Sequence, residues 1–134
     1  MKIEALKQEA AKARSVFDSN YGLLKKTEFE LFPRGACGPS SHFLGEWLSK
    51  CYDLSIEVVL GIRGKDDESH AWLECQSYVI DITSDQFSDG CGSSYVGKAG
   101  IFHCSFSVVS KYEPSVPFGL DEDYKLFTSC MRKA

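Results

Sequence analysis

The sequence predicts an α+β fold in which a cysteine-bearing helix packs on an antiparallel sheet. Three observations carry that expectation. Residues 2–18 repeat apolar side chains at helical spacing, residues 54–63 alternate as a strand does, and residues 69–83 read as a β-hairpin. At 134 residues the chain has the size of one domain with its own core, so a single domain over 1–134 is expected.

In the first helix Ile3, Leu6, Ala10, Ala13 and Phe17 recur at spacings of three and four. Lys2, Glu4, Lys7, Glu9 and Lys12 occupy much of the rest and read as a solvated face. Asn20-Tyr21-Gly22 supplies a stop, glycine tolerating the left-handed conformation that ends helices. Residues 27–36, with Phe29, Leu31 and Phe32 before Pro33-Arg34-Gly35, suit an extended approach. Gly38 to Lys50 is helical again, with Pro39 tolerated in the first turn and Phe43, Leu44, Trp47 and Leu48 as the apolar stripe. Cys37 therefore falls at or just before the N-terminus of a buried helix.

Leu54, Ile56, Val58, Leu60 and Ile62 give the next strand one strongly apolar face, and Gly64-Lys65-Asp66-Asp67-Glu68 is a polar turn. In the hairpin only Gln76 and Ser77 need lie between Cys75 and Tyr78. A two-residue loop sets Cys75 opposite Tyr78, Trp72 opposite Asp81 and His70 opposite Thr83. His70, Trp72 and Glu74 then share a face with Val79, Asp81 and Thr83. His70 and Asp81 become diagonal neighbours, roughly 7–8 Å apart at the backbone and within side-chain reach. A slip of one residue would put them on opposite faces. Ser84 to Gly100 holds four glycines and reads as a loop, of a length that is often functional. Ile101 to Val109 is assigned to a strand. Asp121-Glu122-Asp123 opens a short C-terminal helix to about Met131.

A net charge of −4, with no basic run beyond Lys25-Lys26 and Arg132-Lys133, argues against nucleic acid or an anionic membrane as the main partner. No stretch approaches the ~18–20 apolar residues of a membrane span. The first residues mix charge with apolar side chains and lack the apolar core of a secretory signal. Six cysteines, at 37, 51, 75, 91, 104 and 130, include no C-x-x-C pair. Reduced thiols in a cytoplasmic protein are expected rather than a disulfide scaffold.

Cys37 is the candidate nucleophile, because a thiolate at a helix N-terminus is stabilised by the macrodipole and by free N–H groups. Those N–H groups can also hold the oxyanion of a tetrahedral intermediate. Cys51, Cys75, Cys104 and Cys130 read as small packing residues, which leaves Cys91 in the glycine-rich segment as the rival thiol. His42 and His103 have no carboxylate at an orienting spacing and read as structural. His70 differs, because the hairpin register brings Asp81 to it. Zinc on Cys37, His70 and Asp81 is disfavoured, since the paired short spacings of structural zinc sites are absent; no metal or other cofactor is expected.

The order Gly-x-Cys before a helix, then His70-Ala71-Trp72-Leu73-Glu74, then Ile80-Asp81-Ile82-Thr83 resembles the transglutaminase-like superfamily of papain-fold cysteine enzymes. The matching stretch covers about residues 33–87. The resemblance implies a papain-like core, Cys37 as nucleophile, His70 as general base and acid, and Asp81 as its orienting group. It implies a cysteine-dependent hydrolase or acyltransferase acting on a protein, peptide or other amide-containing substrate. Ile82 stands where that family often has proline, and no Gln or Asn lies just upstream of Cys37 as in papain. The second oxyanion donor is unassigned, with Arg34 and Gln86 as candidates. Two other classes stand beside this reading: a catalytically silent member of the fold acting as a binding partner, and a metal- or redox-responsive protein using Cys91.

Overall fold

The computed structural model describes residues 1–19 and 32–134. Asn20-Tyr21-Gly22 and the first part of the 27–36 segment lie outside the described residues. Helix α1 (Ile3–Ser19) and helix α2 (Cys37–Tyr52) fall where the apolar periodicity put them. Strands β1 (Glu57–Arg63), β2 (Glu68–Cys75) and β3 (Tyr78–Asp81) follow. Strand β4 (Tyr95–Gly97), helix α3 (Ile101–Cys104), strand β5 (Ser107–Tyr112) and helix α4 (Asp121–Lys133) complete the order. The fold is α+β: the described residues form four helices and one five-stranded antiparallel sheet, in the order β4-β3-β2-β1-β5.

The hairpin has the register its sequence sets, with Cys75 against Tyr78, Glu74 against Val79 and Leu73 against Ile80. Gln76 and Ser77 both have positive φ, 53° and 72°, as a two-residue type I′ turn requires. Register follows from this turn and is reinforced by burial on both faces of the sheet.

On one face Leu73, Ile80 and Val58 pack against α1, α2 and α4, where Phe17, Phe43 and Phe127 stack with centroids 5.0–6.2 Å apart. Charge at the ends of α4 matches its dipole, with Asp121, Glu122 and Asp123 in the first turn and Arg132 and Lys133 in the last. On the opposite face Val59, Trp72, Val79, Phe102 and Phe106 form a second, smaller core. That second core changes the reading of β1: Val59 is fully buried, so both faces of the strand are covered. Gly61 is required there, since a Cβ would meet Phe106 Cβ at 2.8 Å and the Trp72 ring at 3.0 Å.

Three further expectations are corrected. Glu9 is not solvated; it is buried because it accepts hydrogen bonds from Trp47 Nε1 (3.0 Å) and Tyr52 OH (2.8 Å) and pairs with Lys12. Residues 84–100 are not all loop: a 3-10 turn spans Ser84–Gln86, and β4 adds an edge to the sheet beside β3. Ile101–Val109 is not one strand. Phe102 and His103 are adjacent and both buried toward the second core, which a strand would prevent by sending them to opposite faces. One turn of helix puts both inward, leaves Ile101 exposed, and the strand begins only at Ser107.

Gln76 and Ser77 hold the left-handed region without being glycine or asparagine, at a cost of roughly 1–2 kcal/mol for each such residue. The double substitution Gln76→Asn with Ser77→Gly is expected to raise stability by about 1 kcal/mol. Urea unfolding should show a higher midpoint at an unchanged m-value; a lower midpoint would contradict the turn assignment.

Candidate active site

Helix α2 begins on Cys37 with no side-chain cap, because Ala36 occupies the cap position. The first four N–H groups of a helix have no intrahelical partner. Here Pro39 has none to offer and Ser40 N–H bonds back to Ala36 O at 2.9 Å. Ser40 Oγ donates to the same carbonyl at 2.6 Å, fixing the turn. The N–H groups of Cys37 and Gly38 remain, and that of Gly38 is directed to the Cys37 sulfur.

The neighbouring strand supplies another donor. Along β2, the odd-numbered residues Cys75, Leu73 and Ala71 turn their N–H toward β3, and a continuing ladder would pair Ala71 with Ile82. The strand pairing stops short of that point, and Ile82 O accepts Arg14 Nη1 at 2.9 Å instead. Arg14 reaches there from α1, where it also donates to Asp85 at 2.6 Å, Asp18 at 3.1 Å and Ser93 O at 3.4 Å. Ala71 N–H, left without its ladder partner, is close enough to the Cys37 sulfur to stabilise negative charge on it.

His70 is fully buried one residue earlier, and its Nε2 lies 2.7 Å from Asp81 Oδ2. Nδ1 is the nitrogen left for the thiol, whose approach and charge act on the ring. Among the described residues no hydrogen bond of full geometry reaches Nδ1, so the sulfur's approach is looser than an aligned hydrogen bond. Asp81 Oδ1 accepts Thr83 N–H at 3.0 Å. The structure thus brings Cys37, His70 and Asp81 into one chain of contacts. The rings of Phe87, Trp72, Phe102 and Phe106 lie 5.0–5.8 Å from His70 and exclude water from the pair. Arg63 covers that aromatic cluster from outside, 4.4 Å over Phe106, held by Asp89 and Glu68.

The electrostatics follow from this packing. Burial pushes the Cys37 thiol up, but His70 and the N–H groups of Ala71 and Gly38 outweigh it, and the thiol lies below its usual range. Burial opposes an imidazolium at His70, yet the Asp81 carboxylate and the Cys37 sulfur raise it to about 9. Burial also opposes a charged Asp81, and donation from His103 and then His70 holds it below the ordinary carboxylate range. A thiolate–imidazolium pair is the arrangement these shifts favour.

Contrary to the expectation from spacing, His103 has a carboxylate partner: its Nε2 is 2.6 Å from the same Asp81 Oδ2. Twenty-two residues separate the two, and no periodicity links them, so only the docking of α3 brings them together. His42 lies apart from these groups, its Nδ1 accepting Ser115 N–H at 3.1 Å. Gln86 donates its amide to Thr83 O at 3.1 Å, and Arg34 is exposed. Cys91 is pinned through its N–H to Ser84 Oγ, and burial together with Asp81 and Asp89 raises its thiol. That direction makes it a poorer nucleophile than Cys37.

His70, Asp81 and His103 also form a buried group with metal-ligating atom types, all within 4.8 Å. Both Nε2 atoms reach Oδ2 at hydrogen-bond length, and an Nε2–H donated to the carboxylate offers no lone pair to a cation. Among the described residues no helix is long and apolar enough to cross a membrane. No protein-family model, no curated protein and no solved structure matches the chain.

Because the Cys37 thiol is lowered, its thiolate persists at a pH where an ordinary thiol is protonated. Iodoacetamide at pH 6–7 is expected to alkylate Cys37 about tenfold faster than the exposed Cys51 and Cys104, as read by peptide mapping. His70→Ala should abolish the preference. Equal, slow labelling of all accessible cysteines would rule out the ion pair.

Proposed function

We propose that this chain is a cysteine-dependent hydrolase or acyltransferase with a papain-like, transglutaminase-like core, acting on an amide through Cys37, His70 and Asp81. What supports the reading above all is the convergence on one sulfur of an uncapped helix N-terminus, a freed strand N–H and a carboxylate-held imidazole. Each feature taken singly has a structural explanation; a buried packing cysteine needs none of the three.

In this reading the Cys37 thiolate attacks the amide carbonyl, forming a C–S bond while the carbonyl electron pair moves to oxygen. The Cys37 N–H in the first turn of α2 meets the developing oxyanion. His70 imidazolium gives its Nδ1 proton to the departing nitrogen as the C–N bond breaks, leaving an acyl-thioester. Water or an amine then attacks that thioester, His70 takes the attacking group's proton, and the Cys37 thiolate leaves. Asp81 stays ionised and holds the ring by Nε2, so that Nδ1 faces sulfur throughout.

With p-nitrophenyl acetate as an acyl donor of low demand, the wild type should show a stoichiometric burst of nitrophenolate and an acetyl adduct on Cys37 by mass. Cys37→Ala should lose both, and His70→Ala should slow acylation by about 10²–10⁴-fold. A burst retained in Cys37→Ala, or no adduct at Cys37, would refute the assignment and favour a catalytically silent binding protein.

A further inference from the structure

We propose that His103 is a positioning residue for the Cys37–His70 pair: its Nε2–H, donated to Asp81 Oδ2, holds the carboxylate oxygen on which His70 depends. This rests on the catalytic reading above and adds a fourth side chain to it. Three geometric facts carry it. The two imidazoles share one oxygen, at 2.7 Å for His70 and 2.6 Å for His103, rather than taking one oxygen each. The carboxylate's other oxygen is already bound to Thr83 N–H, so both oxygens of Asp81 are fixed by donors other than His70. His103 itself has no freedom to turn away. Trp72 packs edge-on against it at 5.0 Å, Tyr95 stacks on it at 5.8 Å, and its neighbour Phe102 lies at 4.9 Å.

The tautomer follows from the same packing. His103 Nδ1 is buried with no hydrogen-bond partner among the described residues. A bare lone pair is tolerated at such a site better than an unpaired N–H, so the proton sits on Nε2, where Asp81 receives it. With the carboxylate held from both sides, its charge is fixed under Nε2 of His70, and Nδ1 of His70 is kept for Cys37. Removing the His103 donor leaves a buried lone pair on Oδ2 and frees the carboxylate to rotate. The His70 contact, already at 2.7 Å, cannot shorten to compensate. The imidazolium, and the thiolate paired with it, then lose support. The groups facing this chain are Cys37 from α2, His70 from β2, Tyr95 from β4, His103 from α3 and, near Asp81, Cys91 from the preceding loop.

The test is the pH dependence of Cys37 alkylation by iodoacetamide in wild type, His103→Phe, His103→Gln and His70→Ala, with folding followed by thermal melting. His103→Phe keeps ring packing and removes the donor; its alkylation midpoint should move upward by about one pH unit. His103→Gln restores an N–H donor at the place of Nε2 and should return most of that shift. A His103 that only fills space would lower the melting temperature in both variants and leave both midpoints in place, which would overturn the proposal. A midpoint moved by His70→Ala but not by His103→Phe removes only the positioning role; one unmoved by His70→Ala removes the catalytic reading as well. The wild type gives an answer independent of any variant's folding. Its long-range 1H–15N spectrum should show His103 with its proton on Nε2, and an Nδ1–H tautomer would refute the assignment.

Discussion

The Asp81 carboxylate is buried at the end of β3, and it is ionised there only because donors converge on it from three directions: His103 from α3, His70 from β2 and Thr83 N–H from its own chain. An unpaired carboxylate in such surroundings would protonate rather than remain charged. With its donors it joins elements distant in sequence on one face of the sheet, and the aromatic core of Trp72, Phe102 and Phe106 packs around the joint. The tilt of the His70 ring, and hence the face it offers to Cys37, depends on this one buried anion.

Around it the protein leaves ordinary backbone partnerships unmade. Helix α2 has alanine where Ser, Thr, Asp or Asn would serve as cap, a substitution worth about 1 kcal/mol in other helices. Strand β2 loses its ladder partner at Ala71 because Arg14 takes the Ile82 carbonyl. Both omissions point free N–H groups at the same sulfur. On the proposed reading, local stability is given up where a charged sulfur, or an oxyanion beside it, would be held.

The candidate site was legible wherever a local rule set its geometry. Gln76-Ser77 fixed the hairpin register, and with it the approach of His70 and Asp81; the apolar stripe of α2 placed Cys37 at a helix start. His103 was not legible, because the strand-like pattern of residues 101–109 concealed a helical turn that only the second core requires. Glu9 was misread for a similar reason: a carboxylate on a charged helix face gives no sign that a tryptophan N–H 38 residues away will need it. Strand β4, three residues long, is too short to show a period at all.

Sequence by itself determined the elements whose periodicity spans several turns or pairs, the hairpin register, and the candidacy of Cys37, His70 and Asp81. Those follow from rules acting within about twenty residues, where side-chain spacing and turn chemistry suffice. Tertiary structure decided the rest: the second core over β1, the covering of His70 by aromatic rings and Arg63, the diversion of Ile82 by Arg14, and the second imidazole on Asp81. Each is a contact between segments whose separation along the chain carries no signal, made only when burial forces unpaired polar groups to find one another.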